Sequence, residues 1–298
     1  GKLAAVDGVL AKLKAVHGEV GEDLQFTHDG LAKRNRLQID LPEGRITPGC
    51  LGLYNDTNEA ALARVLQALR ATAPGRPAQP MPLAIQLAHA GRKASSQTPW
   101  DGGQQIPLDA GGWLAQAPSA LPQLDGELPP AALDDAGIQQ VVDDFVASAR
   151  RAGRLGFQAV ELHCAHGYLL HQFLSPIANQ RSDAFGGSAD NRMRLPLQVF
   201  SAVRAVVPAG VAVGVRLSAT DWVDGGWDLA QSRVFVEALQ ARGLGFLHVS
   251  SGGVSPRRAG AVLQLLGVDG ADPPQHAVDR PRPPAVDRPR PPARRAGR

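Results

Sequence analysis

Residues 157–168 read FQAVELHCAHGY, and this stretch decides the fold. Phe157 to Leu162 is a short apolar run of the kind that fills a buried strand. It runs straight into His163, Cys164, His166 and Tyr168, so chemistry sits at the end of a strand rather than in a remote loop. A helix pattern precedes it at 135–152, where Ile138, Val141, Val142, Phe145, Val146 and Ala149 recur at helical spacing and Gly153 stands where a C-terminal cap is expected. A second helix follows over about 189–206, with Met193, Leu197, Phe200 and Val203 inward. Helix, strand, helix at this spacing means parallel strands with crossover connections.

Working outward, the same unit recurs. Residues 55–72 carry Leu62, Val65, Leu66 and Leu69 on one helical face, with Asp56 and Glu59 spaced as a capping pair. Strands are expected at 83–87, 211–217 and 245–249, and a helix at 229–241. Residues 91–133, rich in Gly, Pro, Ser and Gln, read as one long loop. Each strand ends in polar chemistry: Gln86 to Lys93, His163 to Tyr168, Arg216 to Ser218, and His248 to Gly253. Polar groups at four successive strand ends fit the C-terminal mouth of a (β/α) barrel. A doubly wound sheet would gather them at one switch point, and no G-x-G-x-x-G opens a helix. The expected class is α/β, a (β/α)8 TIM-barrel type, incomplete, with four clear strands.

The chain has 298 residues, 44% hydrophobic and 20% charged, enough for a sizeable core. Its net charge is +3, but 277–298 hold seven Arg and two Asp, a net +5, which leaves about −2 for residues 1–276. The basic pI therefore belongs to a tail, which argues against a folded nucleic-acid domain with a basic face. That tail repeats AVDRPRPP at 277–284 and 285–292, and its composition reads as disordered. Two cysteines, Cys50 and Cys164, are too few for a disulfide framework and suggest a reducing, cytoplasmic setting. No apolar run is long enough to span a membrane as a helix.

The candidate residues each carry more than one meaning. His163-x-x-His166 beside Cys164 can be a metal fragment, a pair of structural histidines, or two imidazole donors aimed at an oxygen that gains negative charge. Tyr168 is a proton donor or an amphipathic core residue. Gln86, inside an apolar strand, has the donor and acceptor to meet a pyrimidine-like edge. Arg216 suits an anionic ring or phosphate, or else a salt bridge to Glu161 on the neighbouring strand.

The stretches PEGRITPG (42–49), IQLAHAGRK (85–93), Ala117-Pro-Ser119 and 156–192 (GFQAVELHCAHGYLLHQFLSPIANQRSDAFGGSADNR) resemble the Old Yellow Enzyme family of NADH:flavin oxidoreductases, nearest its bacterial xenobiotic-reductase branch. The resemblance covers about 41–256. It implies a cytoplasmic FMN flavoprotein with NAD(P)H as hydride donor, acting on a small enone, nitro or related electron-poor molecule. It also implies no nucleic-acid or membrane partner, and a homo-oligomer as in the family. It would place Gln86 and Arg216 on the flavin, His163 and His166 on the substrate oxygen, and Tyr168 as proton donor to the α-carbon. The likeness stops at both ends. Residues 1–40 show neither of the family's first two strands, and LQFTHDGLAKRNRLQID is too polar for a buried parallel strand. Residues 257–298 replace the phosphate loops. The expectation is a truncated or frame-shifted chain of three parts (1–40, 41–256, 257–298) with weakened FMN binding. The competing expectation is a non-catalytic barrel fragment whose Pro/Arg tail holds an acidic partner.

Overall fold

The computed structural model describes residues 36–40, 43–72 and 82–255. Five strands form one sheet in the order β1 (Arg36–Asp40), β2 (Ala84–Ala88), β5 (Ala159–Cys164), β6 (Ala212–Ser218), β7 (Phe246–Ser250), and every neighbouring pair is parallel. Spatial order follows chain order with no reversal, the arrangement of a barrel wall rather than a doubly wound sheet. Helices α1 (Asp56–Thr72), α2 (Asp135–Arg154), α3 (Leu169–Leu174), α4 (Ala189–Val206) and α5 (Leu229–Gln240) lie in the connections. Their apolar faces pack with the outward residues of the strands into one core that includes Phe145, Val160, Leu162, Phe200, Val213 and Phe235.

The helix starts follow from capping chemistry. Asp134 accepts from Gly137 N, Ser188 from Asn191 N and Asp228 from Gln231 N, each satisfying a donor the first turn leaves open. Buried residues 138, 141, 145, 149 and 152 of α2 trace one helical stripe.

Four expectations are corrected. A strand does form at Arg36–Asp40, in register with β2. Its main-chain bonds do not depend on side-chain polarity, and Leu37 and Ile39 alternate with polar neighbours at the strand period. Helix α2 runs through Gly153. Its end lies at Gly156, φ 77°, where Gly156 N bonds Gly153 O and Phe157 N bonds Ala152 O, the two bonds of a Schellman ending. Helix α1 is capped by Asn55, whose Oδ1 accepts from Asn58 N, because Asp56 and Glu59 turn instead to Arg151 and Arg154 of α2; Val65 is exposed. The 91–133 segment is not structureless: it holds 3-10 turns and a parallel pair, β3 (Gln116–Ala117) with β4 (Ala131–Ala132). The Pro/Arg tail and the expected phosphate loops lie outside the described residues, as do residues 1–35. Among the described residues no helix is long and apolar enough to cross a membrane.

Candidate active site

Side-chain alternation puts the polar residues of the strands on one face. Gln86 stands opposite Glu161, and Glu161 opposite Gly214. His163 stands opposite Arg216, and Arg216 opposite His248. The intervening residues Leu162, Cys164, Val215 and Leu217 turn the other way into the helix-packed core. Cys164 is therefore an inert core thiol. Burial, with Glu161 adding to it, pushes its pKa up, away from thiolate chemistry.

Glu161 is the hub of the row. Its carboxylate is almost fully buried and accepts from Gln86 Nε2, from Arg216 Nε at 3.2 Å and from His248 Nδ1. A buried carboxylate persists only with such partners. Of the two meanings Arg216 carried, the salt bridge to Glu161 is present in this structure. The other oxygen-bearing end of the row is open: Gln86 Oε1 is buried and has no hydrogen-bond partner. An unmet buried acceptor costs about 1–3 kcal/mol, and a ligand N–H would satisfy it.

At the end of β5 the chain turns within four residues, and the turn gathers His163, His166 and Tyr168. His163 Nδ1 accepts from Ala165 N at 3.2 Å, which leaves the proton on Nε2. That Nε2 lies 3.3 Å from His166 Nδ1, and His166 Nε2 lies 2.7 Å from Ser250 Oγ at the end of β7. The Tyr168 ring stands edge-on to His163 with centroids 4.8 Å apart. His166 (φ 60°) and Gly167 (φ 73°) are both left-handed, an arrangement a non-glycine residue holds only under external constraint. The constraints are visible. Ser218 Oγ accepts from His166 N and donates to Gly252 O, and Lys93 Nζ donates to His166 O and to Gly253 O. A Cβ on Gly167 would come within 2.2 Å of Gly253 O, so the turn and the loop after β7 touch backbone to backbone.

A cavity of about 390 Å³ opens beside this turn, lined by Tyr168, Lys93, Arg92, Ile46, Gln97 and Glu127 among others. Of the predicted site residues only Tyr168 reaches its wall; His163 lies behind at 3% exposure. Lys93 and Ser250 stand in the strand-end stretches 86–93 and 248–253, to which the sequence pattern assigns polar chemistry but no role for either residue, and Glu161 enters there only as a rival partner for Arg216. The signal for Glu161 was its spacing: it stands two residues before His163, hence on the same face. Ser218 carried the same signal, two residues after Arg216 at the end of β6, but was given no role. His89, after β2, is buried, and burial lowers its pKa to about 4, so it is a neutral ring whose Nδ1 accepts from Gly91 N. The arrangement offers imidazole and phenol protons at a strand end, above a row whose charges are already paired.

Residues 38–256 match the profile of the NADH:flavin oxidoreductase / NADH oxidase family. An NADH:flavin oxidoreductase of Gibberella zeae is 39% identical over 233 residues, 74% of this chain and 55% of that protein. An NADPH dehydrogenase of Listeria innocua is 39% identical over 211 residues, 71% of this chain and 55% of that protein. The chain thus spans about half the length of these relatives. Among solved structures, a morphinone reductase in complex with tetrahydroNAD superposes with a TM-score of 0.56 at 32% identity, covering 71% of this chain and 59% of that one. An old yellow enzyme homologue from Zymomonas mobilis gives 0.57 at 29%, covering 73% and 59%.

Proposed function

This chain belongs to the NADH:flavin oxidoreductase / NADH oxidase family, and from that premise we propose that it is an FMN-dependent NAD(P)H oxidoreductase of the ene-reductase kind. The observation that carries the reading is the meeting of His163, His166 and Tyr168 in one constrained turn, over the strand face that holds Gln86 and Arg216. When bound, FMN would supply hydride acceptance from NAD(P)H and hydride delivery to an electron-poor alkene.

The residues present fit the ring end of that group. Gln86 would offer its unmet Oε1 to a ring N–H, and Arg216 would face the electron-rich edge while Glu161 holds it in place. His163 and His166 would donate to a carbonyl or nitro oxygen, which polarises the alkene and localises charge where the donors are. Such an oxygen has to compete for N–H groups now turned toward His166 and Ser250. Tyr168, on the cavity wall, would give its Oη proton to the α-carbon. The cavity admits a small enone or nitro compound; a homo-oligomer and a cytoplasmic setting complete the proposal.

The test uses the purified full chain. FMN titration should quench flavin fluorescence, NADPH should bleach the bound flavin, and 2-cyclohexenone should restore its colour. Tyr168→Phe should leave the bleaching intact and slow the restoration by about 100-fold, the scale of one lost general acid. A chain that leaves flavin fluorescence unquenched throughout the FMN titration would overturn the proposal.

A further inference from the structure

A second set of buried polar groups lies beneath the His163–Tyr168 turn and touches none of the residues given a chemical role above. His171 on α3 and Asp221 in the loop after β6 are both 0% exposed. His171 Nε2 lies 2.9 Å from Asp221 Oδ1, a buried ion-pair contact in which the two atoms are close but not aligned as a hydrogen bond. Asp221 Oδ2 accepts from Ser175 Oγ at 2.6 Å and from Trp227 N at 2.8 Å. On the far side of the ring, His171 Nδ1 accepts from Gly167 N at 2.9 Å. Burial works against the Asp221 charge, but His171, Ser175 and Trp227 N together hold its carboxyl below the usual range, so it stays ionised.

Proton arithmetic then fixes the imidazole. Gly167 N can only donate, so Nδ1 of His171 carries no hydrogen, and the ring proton sits on Nε2, facing the carboxylate. Were the proton on Nδ1, two N–H groups would face each other across 2.9 Å and the N–H of the left-handed Gly167 would lose its acceptor, leaving Gln172 Nε2 on its carbonyl as the remaining bond from α3. We propose that Asp221 is a positioning residue: it locks His171 in the Nε2–H tautomer, and through the Gly167 bond this sets the backbone step that aims His166 and Tyr168. The functional part rests on the reductase reading; the structural part does not.

Asp221→Asn is a tautomer switch rather than a deletion. Trp227 N and Ser175 Oγ both need the acceptor at the Oδ2 position, so the single oxygen of Asn goes there. Its NH2 then faces His171 and demands a bare Nε2, which moves the ring proton to Nδ1. Ser175→Ala removes one donor to Asp221 without that demand.

Nitrogen-15 NMR of the full chain reads the tautomer directly. The expected wild-type pattern for His171 is a protonated Nε2 and an unprotonated Nδ1, unchanged in Ser175→Ala and reversed in Asp221→Asn. Amide exchange at Gly167 should accelerate roughly tenfold or more in Asp221→Asn, the equivalent of about 1.4 kcal/mol, while amides in the middle of β2 and β6 keep their protection. Enone kcat/KM should fall by a similar factor in that variant and by less than about threefold in Ser175→Ala. Reversal of the tautomer in a chain with no reductase activity would support this proposal and count against the reductase reading alone. A wild-type His171 protonated on Nδ1, or an Asp221→Asn chain with its tautomer and Gly167 exchange unchanged, would overturn it. A wild-type His171 protonated on Nδ1 overturns the proposal even if Asp221→Asn does not fold.

Discussion

Two sets of polar side chains, one on the face of the sheet and one around the turns at its mouth, are held by different means. In the middle of the sheet, Gln86, Glu161, Arg216 and His248 hold one another, side chain to side chain, around a single buried carboxylate. At the mouth, the histidines are held by main chain: His89 by Gly91 N, His163 by Ala165 N, His171 by Gly167 N. The first row depends on charge and fails when one charge is removed. The second depends on imidazoles that each accept a main-chain N–H, and for His89, where burial disfavours the cation, it fails when the ring gains a proton.

The hardest break is Glu161→Ala. It strands the Arg216 guanidinium, which is only about one-fifth exposed, and leaves both ends of the Gln86 amide unmet. Removing one partner of a buried pair costs about 3–5 kcal/mol, and the urea midpoint should fall accordingly. If Glu161→Ala unfolds at the wild-type midpoint, the row is not held by that carboxylate.

Acid should break the mouth instead. His89 has a folded pKa near 4 against 6.5 for a free histidine, because burial disfavours its cation. The unfolded chain therefore binds the proton first. The stability from His89 is complete above about pH 6.5 and is lost as pH falls toward 4, by about 3 kcal/mol over that window. Urea titrations at stepped pH should show this slope, and His89→Asn should flatten it; a slope unchanged by that substitution would assign the acid sensitivity elsewhere.

The smallest effect concerns the join between the mouth and the next strands. Ser218 Oγ serves both His166 N and Gly252 O. Ser218→Ala should cost about 1–2 kcal/mol and perturb the His166 resonances without touching those of His248. Equal perturbation of both would mean that the two sets are one network.

The same contrast explains what was legible in the sequence. Alternating apolar runs and helical stripes gave four of the five strands of the main sheet and the α1, α2, α4 and α5 helices, because burial leaves a periodic trace. Strand ends were read a residue or two early, so His163 lies inside β5 rather than after it. The residues that meet at the mouth were named from their place after strands, and the family resemblance supplied their roles. Strand β1 was missed because its register comes from main-chain pairing. His171 and Asp221 were missed because their partnership spans 50 residues and neither stands in a strand. Gly156 was passed over for Gly153 because both glycines fit a helix end, and only Phe157 after Gly156 separates them.

Strand order has a consequence for the making of the chain. Among the described residues every strand of the sheet but β7 waits for a partner that is synthesised later, and the longest wait is that of Ala84, whose partner Ala159 comes 75 residues on. At about 5–20 residues per second, a ribosome takes roughly 4–15 s to cover that distance. For those seconds β2 is an open hydrogen-bonding edge carrying Ile85 and Leu87, a template on which another nascent copy can pair before α2 and β5 emerge to close it.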